Sequence, residues 1–413
     1  MFIDISPLKA SRDFRLLFIG QVVSFFGTMI SFVAIQWQVY ELTKSSAYVG
    51  YISLFQFVPM FVFAFIGGAV ADSFDRRRIL RLTEIGQTLV TVFLIVNSFI
   101  GTPSLTVIYI SAAVHAACAA LQRPAFESFI QKVIPAEMMT SVQALNSLRW
   151  SIGAVIGPAI AGVITTTLGV RTAFIVDLAT FAVSLIAVYM ISAVPTAADA
   201  ERPSVRGVLD SVRYALSKPY LLGTYIIDIA AMFFAVPQAL FPALAKTYGE
   251  KFLGLFPAAI ATGSLIAALT SGWTKKVEHH GAAITAAAIL WGVGIVLFGF
   301  ANGIWIALAC LVFAGFSDMI SAIFRGAVWN QSIPNFMRGR LASLEMISYL
   351  TGPYLGNAKM GIVAEWTSVP TAIISGGALC IIGVAASAML IPGFMTYRAT
   401  DGIRDRELEE ARK

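Results

Sequence analysis

Gly68-Ala69-Val70-Ala71-Asp72-Ser73-Phe74-Asp75-Arg76-Arg77-Arg78 is the one dense charge cluster in the first hundred residues, and long apolar runs flank it on both sides. A glycine is followed four residues later by an aspartate, and arginines stand four and five residues beyond that. A small-residue helix end leads into a turn, and a basic helix start follows. Asp72 beside three arginines can form a local charge network at a membrane face. The rest of the chain reads as twelve helices arranged around this loop and its weaker counterparts.

Composition sets the class. The chain has 413 residues, 58% hydrophobic and 13% charged, with a mean hydropathy of +0.79. A soluble protein carries about 25% charged residues, so the deficit marks a polytopic membrane protein. The net charge is +6, yet the basic residues lie in short loops rather than on one domain face, which excludes a nucleic-acid partner. Cys118, Cys310 and Cys380 all fall inside apolar runs, with neither metal spacing nor a disulfide framework. The first twelve residues are mixed and the first apolar run is too long for a cleavable signal peptide.

Apolar runs of about 20 residues mark spans. They lie near 16–40, 47–71, 79–100, 104–123, 142–168, 172–193, 219–245, 252–272, 281–301, 303–324, 341–364 and 368–392. Of the 29 lysines and arginines, 23 fall on one side of this layout, Arg325 among them, and 4 on the other. The bias assigns both termini to the cytoplasm. The longest polar break divides the chain into a six-helix bundle over 1–194, a cytoplasmic linker over 195–218, a second bundle over 219–392 and a cytoplasmic tail over 393–413. Val205–Leu216 in the linker reads as an amphipathic surface helix, and the tail as a short solvated helix or disorder.

The halves repeat. Ala144-Leu-Asn-Ser-Leu-Arg149 resembles Arg340-Leu-Ala-Ser-Leu-Glu345, and Gly157-Pro158 matches Gly352-Pro353 downstream. These are two copies of the fifth helix of each half. The third and fourth spans of each half join by very short turns, Gly101–Ser104 and Asn302–Gly303.

The opening loop, through Gly68, Asp72, Arg76 and Arg77, resembles the signature between helices two and three of the major facilitator superfamily. Gly153-x-x-x-Gly157-Pro158-x-x-x-Gly162 resembles the fifth-helix motif common in that family's exporters. Phe14-Arg15-Leu16-Leu17, Ala34-Ile35-Gln36-Trp37, Arg123-Pro124-Ala125 and Phe241-Pro242-Ala243-Leu244 look most like bacterial efflux carriers of the siderophore-exporter and macrolide-efflux kind. The resemblance covers nearly the whole chain. It implies an all-α membrane protein, twelve helices in two pseudo-symmetric bundles, and a monomer in the bacterial cytoplasmic membrane. It also implies a secondary transporter that exports a small siderophore or drug-like molecule against protons, by alternating access. An uptake carrier or facilitator of a small solute or metal is the alternative, and a non-transport receptor a more distant one.

The motifs have their own physics. Glycines at 153, 157 and 162 clear one helical face for close backbone approach, and Pro158 bends the helix. That face serves either tight packing or a seal that favours export. Asp72 is either a solvated acid balancing Arg76 or, with Arg76 and Arg77, a latch onto the other half near Leu341. Charges inside spans are costly, and they are read here as His115, Arg149, Asp177, Asp228, Asp318, Glu345 and Lys359. In the family the first helix of each three-helix unit lines the central cavity, which places His115, Asp228 and Asp318 on cavity helices. Asp228 and then Asp318 are the first choices for a proton-carrying acid, since an acid shut off from water holds its proton and releases it when water enters. Arg149 and Glu345 stand at matched places in the two halves; they either pair or reach separately to the headgroups. Lys359 needs a further partner or water. His279 and His280 read as a solvated turn. No catalytic set, phosphate loop, cofactor site or metal site is found in the sequence.

A latch governs switching rather than packing. Asp72→Asn is therefore expected to slow transport more than it lowers folding yield; unchanged flux at intact expression would leave Asp72 a solvated acid.

Overall fold

The structure, a computed structural model, describes residues 4–73, 75–192, 212–334 and 337–411; for 64–73, 338–340 and 342–343 it describes the backbone alone. In hydrocarbon every backbone N–H and C=O needs a partner from the chain, and a helix supplies it within one segment. The described chain is accordingly helical. The long helices are α1 (Arg12–Thr43), α2 (Ser46–Ser73), α3 (Arg76–Phe99), α4 (Leu105–Val133), α5 (Met139–Val163) and α6 (Val170–Met190) in the first half. The second half holds α7 (Pro219–Ala235), α8 (Leu255–Thr270), α9 (His280–Gly299), α10 (Ile304–Ser332), α11 (Arg338–Trp366) and α12 (Val369–Leu390), with a tail helix α13 (Ala399–Ala411). Among the described residues, 11 segments are long and apolar enough to cross a membrane. The twelfth span is α11, whose 29 residues reach about 43 Å but carry charges along their length.

Local chemistry fixes the ends. Ser11 caps α1 by accepting from the Phe14 N–H at 3.2 Å. Asp75, in the loop that opens the sequence, caps α3 by accepting from the Arg77 N–H at 3.0 Å. Ser368 caps α12, and Pro219 begins α7, where a missing N–H costs nothing. The turn between α9 and α10 needs Gly303, whose φ of 144° excludes an ordinary side chain.

The chain divides into two compact units: 1–44, 54–203 and 242–258 form the first, and 45–53, 204–241 and 259–413 the second. In the first unit the principal packed pairs are α1 with α6, α3 with α4, α3 with α6 and α1 with α5. In the second they are α7 with α12, α9 with α10, α9 with α12 and α7 with α11. Each pair in one unit is the counterpart of a pair in the other, so the repeat read from the fifth helices extends to the packing of both bundles. Its most direct expression is at the repeated glycines. A Cβ at Gly157 would stand 2.8 Å from Met29 Cβ on α1, and a Cβ at Gly352 would stand 2.8 Å from Met232 Cβ on α7.

Two expectations change. The tail is a folded helix docked on the second unit: Glu409 accepts from Tyr214 Oη at 2.8 Å and pairs with Lys218 at 2.6 Å, and Arg406 donates to the Asn330 carbonyl at 3.1 Å. The two histidines do not form a solvated turn. His280 is buried against Phe324 and Tyr397, while Arg398 Nε donates to His279 Nε2 at 3.3 Å. Most of the linker, 193–211 with the start of the expected surface helix, lies outside the described residues; 212–217 is helical.

Overfilling a packed contact costs about 1–3 kcal/mol. Gly157→Val and Gly352→Val should therefore both lower the melting temperature of the purified protein in detergent. If one substitution melts like the parent and the other does not, the two glycines are not equivalent.

Candidate functional site

Among the described residues, the buried carboxyls collect in one place in each unit. In the second unit Asp228 lies on α7, nine residues beyond the Pro219 that starts it, and is 2% exposed. Its Oδ1 is paired with Arg325 Nη1 from α10, and Ser348 Oγ of α11 donates to Oδ2 at 3.3 Å. One helical turn away on both helices, Trp329 Nε1 donates to Thr224 Oγ1 at 2.9 Å. The two bonds are successive rungs of an antiparallel contact between α7 and α10. Tyr225 stacks on Trp329 with centroids 5.6 Å apart, and Tyr349 meets the same indole edge-on at 5.5 Å. Asp318 sits two turns before Arg325 on nearly the same face of α10. It is half-buried and has no hydrogen-bond partner among the described residues.

Arg325 had been assigned to the cytoplasmic side by the lysine and arginine bias. The structure places it inside α10, which runs eight residues past the expected end of that span, and leaves it 3% exposed. A long cationic side chain beside a predicted boundary is easily counted as a loop residue; the carboxylate on another helix that pairs with it is invisible to a one-dimensional scan.

Lys359 also finds its partner. Its Nζ donates to the Phe234 carbonyl at 2.9 Å, at the end of α7. The chain breaks there at Pro237 before the short helix Phe241–Tyr248, and Asn357 Oδ1 accepts from the Ala239 N–H at 2.6 Å. The α11 side chains thus satisfy a donor and an acceptor that the break sets free.

In the first unit α3 carries Glu84, a residue inside a predicted span that the sequence reading passed over. The arginines at 76, 77, 78 and 81 make the start of α3 look like an exposed basic turn, which masks the carboxylate a turn further on. Glu84 is 0% exposed. Its Oε1 accepts from Gln21 Nε2 at 3.1 Å, Gln122 Nε2 at 2.9 Å and Ser184 Oγ at 2.8 Å, from α1, α4 and α6. Asp177 on α6 is 1% exposed, and its Oδ2 accepts from Ser31 Oγ at 2.5 Å and Thr91 Oγ1 at 3.2 Å. Oε2 of Glu84 and Oδ1 of Asp177 are buried with no hydrogen-bond partner. Arg149 reaches this group only through an amide, donating to Gln21 Oε1 at 3.3 Å, and its guanidinium faces the rings of Phe25 and Phe126.

The remaining expected residues are dispersed. His115 is half-buried on α4, edge-on to Phe181 at 6.1 Å. Glu345 is half-buried on α11. Gly153 faces the Phe25 ring of α1, and Gly162 lies against the backbone of Gly254. Arg76 Nε donates to Ser128 Oγ at 2.5 Å, while Arg77 and Arg81 donate to the Tyr189 carbonyl at the end of α6 at 2.9 and 3.0 Å. The side chain of Asp72 lies outside the described residues. Among the described residues no group of three His, Cys, Asp or Glu is placed to hold a metal ion.

A family profile described as "transmembrane secretion effector" matches residues 4–402. The chain belongs to the transmembrane secretion effector family. It is a multi-pass membrane transporter of the major facilitator type. The chain is similar to the "Enterobactin exporter EntS" of Citrobacter koseri, 26% identical over 391 residues that cover 94% of each chain. The protein of the same name from Shigella boydii is also 26% identical, over 392 residues. Among solved structures, the nucleoside transporter NupG superposes with a TM-score of 0.72 at 12% identity, covering 92% of this chain and 98% of that one. A bacterial homologue of the iron transporter ferroportin, in an inward-facing state, gives 0.69 at 14% identity, covering 94% and 99%. At these identities the superpositions show the fold: this secretion effector has the twelve-helix, two-bundle architecture that its sequence repeat implies.

Removing one member of a buried ion pair strands the other, at a cost of about 3–5 kcal/mol. Arg325→Gln should therefore melt well below the parent in detergent, and adding Asp228→Asn to it should restore much of the loss. Equal melting of the single and double variants would mean that the pair carries no coupling.

Proposed function

We propose that this secretion effector is a proton-coupled exporter of a small siderophore or drug-like molecule. It works by alternating access in the bacterial cytoplasmic membrane as a monomer with both termini in the cytoplasm. The observation that carries the proposal is the buried Asp228–Arg325 pair with Asp318 two turns away. A carboxylate bound to one arginine in a low-dielectric site is a switch with two states. Ionised, it holds the guanidinium; protonated, it lets go. Arg325 is then free to turn to Asp318 on its own helix or to an anionic group of the cargo. Proton entry is in this way converted into a rearrangement of α7 against α10. Tyr225, Trp329 and Tyr349 beside the pair offer flat apolar surface to an organic cargo. The similarity to enterobactin exporters supports the outward direction. The excess of lysine and arginine on one side supports the orientation. The signature loop supports a latch at Asp72, Arg76 and Arg77, and Arg149 and Glu345, at matched places in the two halves, remain candidates for switching. His115 remains a further candidate for the transport path.

Enterobactin is the probe of choice. In proteoliposomes, Asp228→Asn and Asp318→Asn should each abolish efflux of enterobactin driven by a pH gradient, while binding and passive exchange remain measurable. The Asp228→Asn/Arg325→Gln double variant, which buries no unpaired charge, serves as the folding control. Full gradient-driven efflux in both single variants and in their combination would remove both acids from proton coupling.

A further inference from the structure

Glu84 and Asp177 sit seven residues from Thr91 and Ser184 on their respective helices. Because α3 and α6 run antiparallel, Glu84 meets Ser184 and Asp177 meets Thr91. The result is two carboxyl–hydroxyl rungs about 10 Å apart along the helix axes. By register, the interval between the rungs holds Ser24 from α1, Gln87 from α3 and Thr180 from α6. Ser24 and Gln87 are buried. A Cβ at Gly27 would overlap Thr180 Oγ1 and stand 2.5 Å from Asp177 Oδ1, so these two side chains fill the space that this glycine leaves on α1.

All five hydrogen bonds to the two carboxyls come from uncharged amides and hydroxyls. The titratable and charged groups that face the ladder are few. α4 contributes Cys118, whose Sγ lies 2.8 Å from where a Cβ at Gly86 would be, and His115, which contacts Phe181 on α6. α5 contributes Arg149, held off by Gln21. α1 presents Gln21, Ser24, Thr28 and Ser31 at these levels, none of them charged. An ionised carboxylate so placed would have no directly bonded cation among the described residues and would leave one buried oxygen without a donor, which buried charge does not tolerate. A neutral carboxyl keeps its accepting oxygen in the donor cluster and puts its proton on the other oxygen, the one found without a partner.

We propose that Glu84 and Asp177 form a proton-binding site in the first unit, each carboxyl carrying its proton in this conformation and exchanging it during transport. In its use the site rests on the proton-coupled reading above; in its chemistry it is independent of Asp228, which has an arginine of its own. Each exchange moves one proton between a carboxyl and water, and the carboxyl alternates between neutral acid and anion.

Infrared difference spectroscopy of the purified full chain, in H2O and D2O, reads protonated carboxyls directly. At neutral pH the parent should show carboxylic-acid carbonyl bands, where exposed acids, with ordinary pKa values of about 4, show none. Glu84→Gln should remove one component and Asp177→Asn another. Absence of the bands in the parent, or a band profile unchanged from the parent in both variants, overturns the assignment, and absence in the parent counts even if a variant fails to fold. In proteoliposomes loaded with enterobactin, Glu84→Gln should reduce pH-gradient-driven efflux to the rate seen without a gradient, with exchange at equal pH retained. Loss of its band with driven efflux unchanged overturns the role in exchange. A parent whose efflux ignores the gradient overturns the proton-coupled reading of the transporter, and the infrared bands then decide the proton-binding site alone.

Discussion

A charge taken out of water inside a membrane must be paired, bonded to oriented dipoles or neutralised by a proton, and that constraint accounts for most of what is specific in this structure. The second unit pairs: Asp228 and Arg325 neutralise each other between α7 and α10, with Ser348 taking the carboxylate's second oxygen. It also bonds: Lys359 uses a backbone carbonyl at a helix end, where the helix dipole is negative. The first unit keeps Arg149 one amide away from its carboxyls. Two bundles with matched packing thus handle charge in different ways.

The break in α7 shows how the same constraint shapes the backbone. Pro237 and Pro242 interrupt the helix around 236–240 and release polar groups that hydrocarbon cannot satisfy. α11 answers with two side chains two residues apart, Asn357 for the Ala239 N–H and Lys359 for the Phe234 carbonyl. Asn357 also donates to Ser53 Oγ at 2.7 Å, and Ser45 Oγ donates to Glu365 at 2.6 Å. The 45–53 segment is fixed to α11 by side chains that also serve the broken helix or lie one turn or more beyond it. The polarity of α11 is largely the set of groups that service its neighbours.

The sequence disclosed the fold well because the signals that define it are one-dimensional. Apolar length places spans, and the Gly157-Pro158 and Gly352-Pro353 copies place the repeat, since a glycine facing a methionine on the first helix of its bundle must be a glycine in both halves. The sites were less legible. Asp228 stood out as an acid deep in an apolar run, but its partner Arg325 lies 97 positions away at what looked like the edge of a loop. Glu84 was hidden by its basic neighbours on α3, and only the convergence of Gln21, Gln122 and Ser184 from three other helices reveals it. Lys359 could be recognised as needing a partner, but a backbone carbonyl has no sequence signature.

The contrast between the units shows where a repeated fold keeps its repeat and where it departs from it. Here the repeat is kept where it sets helix contacts, at α1 with α5 and α7 with α11, and abandoned where charge is buried. Asp228 corresponds to no acid on α1, and Glu84 and Asp177 have no acidic counterparts on α9 and α12, neither of which carries an Asp or Glu. An arginine-held carboxylate gives up its partner when protonated, whereas a carboxyl held by uncharged donors must acquire water when it loses its proton. The two sites therefore make different demands on their surroundings, a neighbouring cation at one and uncharged donors at the other.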